Sequence, residues 1–271
     1  MLTESGLSLV GKLYFAAFAG CFAFFVAWEA SSPQRLRHIA RNFGLFLLVV
    51  FLADGVVGGW IFQVHERLAQ VPDGPLSALR HSVPAQIAAG LLVLDLLNYG
   101  FHRLCHRVRW LWLIHAVHHS DPQPDASTGL RSHPIEVSIG VAATIVTLTA
   151  LGLPLWIEGA RAILVNPLTL AQHASITLPP RLSRALGWLI VTPQMHRVHH
   201  STAPEEYNTN YGQMFSFWDR LFGTYRKPER MAPRSYGLNP LGADSWQSLF
   251  GMTVTPWRAR HCLPPAHPDR P

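Results

Sequence analysis

Apolar residues fall in long, nearly uncharged runs, not in the short periodic stripes of a water-soluble fold. Residues 7–28 hold one charge, Lys12, near their start. Residues 43–64 hold only Asp54, and 83–101 hold only Asp95. Residues 137–157 and 162–180 hold no acid, lysine or arginine. A membrane-spanning helix needs about 20 largely apolar residues. The pattern therefore predicts an all-α integral membrane protein with four to five transmembrane helices, of which 137–157 is the clearest. Interior Gly55, Gly58, Gly59 and Pro167 fit such helices better than soluble ones. The first run is too long and too poorly flanked for a typical signal peptide, and no small-residue cleavage site follows it.

The polar stretches between the runs set an orientation. Residues 31–41 carry Arg35, Arg37 and Arg41 and no acid, so the positive-inside rule reads them as a cytoplasmic loop. The amino terminus and residues 63–82 then lie outside. The third helix ends in the cytoplasm near His102, followed by Arg103, Arg107, Arg109 and Arg131. Helices four and five form a hairpin that leaves and returns, which puts everything after about residue 180 in the cytoplasm. The polar remainder, 103–133 and the tail from Arg181, reads as helical stretches broken by turn-rich 121–125 and 203–210. The Pro-rich 258–271 is expected to be disordered. Three regions follow: N-terminal transmembrane helices over 1–82, a catalytic domain over 83–228, and a cytoplasmic tail over 229–271.

Composition agrees. The 271 residues are 49% hydrophobic and only 14% charged, against about 25% charged in soluble chains. That excludes disorder, coiled coil and collagen, and argues against an ordinary water-soluble enzyme. Mean hydropathy is +0.15. The net charge of +6 rests almost wholly on arginine and reads as cytoplasmic loops, not as a nucleic-acid surface. Cys21, Cys105 and Cys262 are far apart and make no CxxC pair or disulfide framework.

The count that needs a chemical reason is 15 histidines beside 16 acidic residues. His102 and His106 form an HxxxH motif. His115, His118 and His119 form an HxxHH motif, and His196, His199 and His200 repeat it. Positions i, i+3 and i+4 share one helical face, so three faces can bring eight imidazoles together. His133 and His173 stand alone. Imidazole suits Zn, Fe, Cu and Ni, and eight to ten ligands exceed the roughly four that one zinc takes. Two metals are the simplest reading. His38, His65, His81, His261 and His267 read as loop or tail residues. No HExxH or Glu-x-x-His occurs, so neither the zinc-protease nor the carboxylate-bridged di-iron pattern applies.

These motifs resemble the fatty acid hydroxylase/sterol desaturase superfamily of integral-membrane di-iron enzymes. The flanks at 99–103 (Y-G-F-H-R), 111–120 (L-W-L-I-H-A-V-H-H-S), 131–136 (R-S-H-P-I-E) and 210–224 (N-Y-G-Q-M-F-S-F-W-D-R-L-F-G-T) are similar too. The similarity covers about 91–225. The resemblance implies membrane helices capped by a cytoplasmic histidine cluster, in a bacterial inner membrane or, in a eukaryote, the endoplasmic reticulum. It also implies O2-dependent hydroxylation or desaturation of a lipid, with two iron ions as cofactor. The electrons would come from a separate donor such as a cytochrome b5-like protein, a ferredoxin or a reductase. His133, which precedes Pro134, and His173, on the helix before the last HxxHH, join the eight motif histidines as implied ligands. His173 also lies about 16 Å along its helix, a depth that suits a cluster at the inner membrane boundary.

The chemistry is coherent with this. Breaking an unactivated C–H bond needs an oxidant that side chains cannot supply and a metal with O2 can. Zinc has no redox chemistry, so iron fits better. A neutral ligand set leaves the metal charge in want of a hydroxide, a water or a nearby carboxylate. Asp95, Asp125, Asp219 and Glu136 are the acids near the motifs. Asp95, two helical turns before His102, either bonds a ligand imidazole, lines the metal cavity or pairs structurally. Asn98 is a candidate to hold a water or ligand, and Asp54 reads as structural. Asp219 and Asn210 read as fixing the last helix and loop. Trp110, Trp112, Trp188 and Trp218 read as interface anchors. Two other classes remain open: a zinc-dependent membrane hydrolase of a lipid or peptide, and a non-catalytic metal-binding membrane protein.

Overall fold

The computed structural model describes residues 4–59, 74–228 and 235–264, and among them every regular element is helical. The side chain of Asp54, residues His65 and His267, and the end of the tail lie outside the described residues. Helix α1 is Glu4–Glu29 and α2 is Pro33–Val49, which continues as a π-helix over Val50–Gly58. The expected loop at 31–41 shrinks to a three-residue break. Ser32 caps α2 by accepting the Arg35 N–H at 3.2 Å, and Pro33 occupies the first helical position, where its missing N–H is no loss. Arg35, Arg37 and Arg41 therefore ride on the first turns of α2.

Helix α3, Val83–Cys105, is capped by Ser82. The amphipathic α4, Arg109–His119, follows after a short turn. Helix α5, Pro134–Leu151, starts at His133 and stops at Gly152, whose φ of 71° is the left-handed conformation a helix end favours. A Cβ on Gly152 would collide with Ser77 Oγ. Helix α6 is Trp156–His173, so the fifth apolar run begins six residues early and stops seven short of its expected end. The Ser175 N–H leaves the helical pattern to bond the Glu29 carboxylate at 2.6 Å. Short helices α7, Pro180–Leu186, α8, Pro193–His199, α9, Pro204–Tyr207, and α10, Phe217–Leu221, form the cap with α4, and α11, Leu249–Arg258, closes the chain.

Among the described residues, four helices are long and apolar enough to cross a bilayer: Gly11–Glu29, Pro33–Ala53, Val83–Cys105 and Pro134–Leu151. This is an integral membrane protein. Helix α6 carries Glu158 and Arg161 and packs along α1 and α3. The ends of α1, α2, α3, α5 and α6 meet at the cap. Glu29 accepts the Ala126 N–H at 2.7 Å, Arg35 donates to Asp125 at 3.1 Å, and Asn42 donates to Ser127 at 2.9 Å.

Two segments without a spanning helix of their own lie against the bundle. Residues 211–222 run beside α3, where Asp95 accepts the N–H groups of Met214 at 2.9 Å and Phe215 at 3.0 Å and the Trp218 indole at 3.0 Å. A carboxylate at membrane depth costs about 2.5–3.5 kcal/mol, and these three donors offset that cost. Helix α11 sets Met252 into a core with Leu45, Val49, Ala53 and Val117. The tail expected to be disordered from 258 is ordered through 264, because Arg109 donates to the carbonyls of Arg260 and Leu263. The Trp112 indole donates to the Pro264 carbonyl. Trp112 is thus a core residue stacked on Tyr207 and not an interface anchor, whereas Trp110 and Trp188 are exposed.

Candidate metal centre

Three helical stretches deliver the motif histidines, and the end of α6 adds His173. The last turn of α3 presents His102, and His106 caps it. Helix α4 is buried from Leu111 to His119. Helix α8 starts at a Thr192 cap and Pro193 and ends with His199, with His200 as its cap. The imidazoles meet, but in two groups and not at one point. His102, His106, His115, His119 and His199 form the first; His118, His173, His196 and His200 form the second. Within each, the candidate ligand atoms all lie within 4.8 Å of one another. The split follows from helix geometry, since i+3 and i+4 lie about 100° apart around the axis. Each HxxHH therefore sends its i, i+4 pair to one group and its i+3 histidine to the other. His115 and His119 enter the first group and His118 the second. His196 and His200 enter the second and His199 the first.

Both groups fit a cation. His102 Nδ1 lies 2.8 Å from the Tyr211 carbonyl and His199 Nδ1 lies 2.8 Å from that of Thr209. His118 Nδ1 lies 3.0 Å from the Arg131 carbonyl and His173 Nδ1 lies 2.8 Å from that of Thr169. A carbonyl only accepts, so each Nδ1 carries the proton and each Nε2 is a bare lone pair. In the first group every member has a buried ring nitrogen with no hydrogen-bond partner. In the second, Nε2 of His173 stands 3.3 Å from His118, 3.1 Å from His200 and 2.9 Å from His196. Lone pairs of His118 and His173 that face each other repel unless a cation lies between them. Burial, with mutual repulsion adding to it, holds His106, His118, His119, His196 and His200 well below the ordinary imidazole range. Burial likewise pushes His199 down to about 3. Neutral, fixed-tautomer imidazoles are what a metal requires.

Glu136 supplies the carboxylate. Its Oε1 lies 2.7 Å from His115 Nδ1, and its Oε2 is buried without a partner. The sequence named it only as one of four nearby acids; its place at the start of α5, one turn after His133, is the available signal. Backbone carbonyls such as Tyr211 leave no sequence signal at all. Arg131, in the sequence only one of several cytoplasmic arginines, has a buried guanidinium that donates to Val117, Asn42 and Ser120, and its carbonyl orients His118. Asp121 is fully buried, which raises its pKa, but His38, Arg131 and Thr128 outweigh that and hold the carboxyl well below its usual range. His38, read as a loop residue, is instead a helical partner of Asp121 at 3.2 Å.

His133 stands outside both groups. Its Nδ1 accepts the Ile135 N–H at 3.2 Å, its Nε2 faces the Thr253 carbonyl at 3.0 Å, and it caps α5. Asp95 touches no imidazole and holds the 211–222 segment. Asn98 donates to the Leu94 carbonyl and lines the cavity below the histidines. Asp219 accepts the N–H groups of Tyr211 and Gly212, and Asn210, at φ 54°, bridges Met195 and Arg226. Gly129 leaves room for His173, because a Cβ there would come within 3.2 Å of its Nδ1.

A cavity of 670 Å³ opens below the two groups, between α1, α2, α3, α5 and α6. His102, His115, His118, His173 and His196 close one end, and Phe18, Phe46, Val49, Val141 and Ile145 line its sides. That volume suits a ligand of drug or lipid-fragment size.

Residues 87–224, just over half of the chain, match the fatty acid hydroxylase family. The chain belongs to that family. Among curated members, it is 34% identical over 157 residues to an ornithine lipid hydroxylase, OlsE, of Rhizobium tropici, covering 56% of this chain and 45% of that one. It is 32% identical over 175 residues to an alkylglycerol monooxygenase of Danio rerio, 59% of this chain and 34% of that one. A cholesterol 25-hydroxylase-like protein of the same organism is 30% identical over 199 residues, 72% and 75% of the two chains. The chain thus spans less than half the length of the first two of these fatty acid hydroxylase relatives. No solved structure matches it.

Proposed function

We propose that this protein is a membrane di-iron oxygenase that hydroxylates, or desaturates, a lipid with O2 and electrons from a separate donor protein. The observation that carries the reading is the convergence of two sets of buried imidazoles at one end of a cavity that has an apolar wall. Nine histidines would hold the metals: five in the first group and four in the second. His133 would act on them only by fixing the start of α5. When bound, two irons would supply the redox capacity to reduce O2 and attack a C–H bond. The chain's own part is positional. Tyr211, Thr209, Arg131 and Thr169 fix tautomers through their carbonyls. Glu136 orients His115 and adds negative charge to an otherwise neutral set. The apolar wall from α1, α2 and α5 would exclude water from the reacting carbon.

The family relatives named as lipid hydroxylases and monooxygenases support an oxidoreductase on lipids. The cap would face the cytoplasm, because Arg35, Arg37 and Arg41 share its end of the bundle with Arg103, Arg107 and Arg109. A cysteine placed at Tyr225 or Arg226, in a background without native cysteines, should resist an impermeant reagent on intact cells; labelling there inverts the orientation. The deciding experiment reconstitutes the purified protein with Fe(II) without air, measures metal per chain, and then admits O2 with lipid and reductant. About two irons per chain and reductant-dependent oxygenation of a lipid are expected. Loading with zinc alone, no O2 uptake and lipid or peptide cleavage would instead establish a hydrolase.

A further inference from the structure

The cavity has two unlike walls. One, from α1, α2 and α5, is aliphatic and aromatic. Facing it, α6 and the 211–222 segment present Glu158, Arg161, Asn166 and Gln213. Arg161 grips Glu158 with Nε and Nη2, each at 2.8 Å, and its Nη1 donates to Gln213 Oε1 at 3.2 Å. The Arg161 side chain is only 11% exposed, while Glu158 remains 38% exposed. A guanidinium offers five N–H donors, and these three bonds leave others for a ligand. The Glu158 carboxylate keeps lone pairs for the same purpose.

Stability does not explain this pair. An i,i+3 ion pair with one partner more than a third exposed contributes only about 0–1 kcal/mol. Here it faces open cavity instead of a neighbouring helix. The pair's own net charge is zero, and Asp95, the further carboxylate that acts on Arg161, is already engaged by three donors of the 211–222 segment, so the site does not select an anion. It presents donors and acceptors side by side, the complement of a group that itself both donates and accepts. The pair is also coupled to the metal end. The Gln213 carbonyl accepts from Gln172 Nε2 at 2.7 Å, one residue before His173, and Gln213 lies two residues after Tyr211, whose carbonyl orients His102.

We infer that Arg161, Glu158 and Gln213 form a binding subsite for a hydrogen-bonding group of zero net charge on the lipid. The substrate therefore brings a hydroxyl, amide or zwitterionic group into the cavity instead of threading in as a bare alkyl chain. This inference rests on reading the cavity as the substrate chamber of the proposed oxygenase.

The test is lipid binding by the full chain in nanodiscs, read as a shift of the thermal unfolding midpoint, which needs neither metal nor turnover. Three probes share one chain length at matched mole fraction: 1-O-hexadecylglycerol, palmitate and hexadecane. Hexadecylglycerol should raise the midpoint by about 3 °C at saturation, with hexadecane and palmitate giving less than about a third of that. The double variant E158Q/R161M, which removes both charges together, should abolish the difference. R161K, which keeps the charge and loses the fork, should lose most of it. If the double variant does not fold, E158Q alone serves, with a reduced difference expected. Equal shifts for the three probes, palmitate giving the largest shift, or a difference that survives in the folded variants each overturns the subsite. His106→Ala, which disrupts a histidine group but does not line the cavity, should keep the probe preference. A failed oxygenase reading with an intact preference is thereby told apart from a failed subsite.

Discussion

The two histidine groups differ in how many members they have and in what holds them. The first has five imidazoles from α3, α4 and α8, with Glu136 behind His115 and two backbone carbonyls behind His102 and His199. The second has four, of which His173 alone comes from α6. Four ligands leave no spare, whereas five tolerate one loss. A carboxylate lies against a ring of the larger group, whereas His118 and His173 of the smaller face backbone carbonyls.

The comparison breaks most sharply at His173. Replacement by alanine should lower bound metal from two to about one per chain and abolish turnover, with the protein still inserted. His106→Ala, in the five-member group, should keep more metal and more activity. Metal analysis of both variants, loaded identically, checks this; equal metal loss would show that the groups do not differ in redundancy.

Acid should come next. In the metal-free protein, burial holds His106, His118, His119, His196 and His200 low and His199 at about 3, while the unfolded chain titrates near 6.5. Below 6.5 the unfolded chain binds more protons than the folded one. Stability should fall with pH by about 1.4 kcal/mol per unit for each such imidazole, until the folded value is reached. Thermal unfolding of the metal-free protein between pH 8 and pH 5 measures this. Metal loading should oppose the fall, and a flat profile would mean that the imidazoles are not held neutral.

Glu136→Gln sharpens the contrast further. It keeps the size of the side chain but removes the charge behind His115, so metal affinity at the first group or turnover should drop by about 10–100-fold. The second group should keep its metal. Smallest is His133→Ala, which removes a helix cap and should cost about 1 kcal/mol of stability. It should leave metal content unchanged, and chemical denaturation beside metal analysis would show both.

The spans and eight of the nine imidazoles were legible because long apolar runs and repeated histidine spacings are local patterns, whereas His173 stands alone and the resemblance pointed to it. The same local logic misplaced the start of α2, where Ser32-Pro33 begins a helix inside what reads as a basic loop. It also merged the two groups, because a shared helical face hides the 100° between i+3 and i+4. What holds the rings was largely invisible. The carbonyls of Tyr211, Thr209, Arg131 and Thr169 act through chain atoms that every residue has, and Asp95 is costly at its depth until the 211–222 segment brings it three donors. His133 shows the opposite failure. Its neighbourhood matches the resemblance closely, yet both its nitrogens face the backbone.

The reciprocal division of the two HxxHH helices makes them act as meshed gears. A rotation of α4 that draws His115 and His119 toward one centre swings His118 relative to the other, and α8 does the same in the opposite sense. Neither centre can be widened, tightened or emptied by moving one of these helices without displacing the other centre. A displacement that enters on one side of the cap therefore reaches both histidine groups at once.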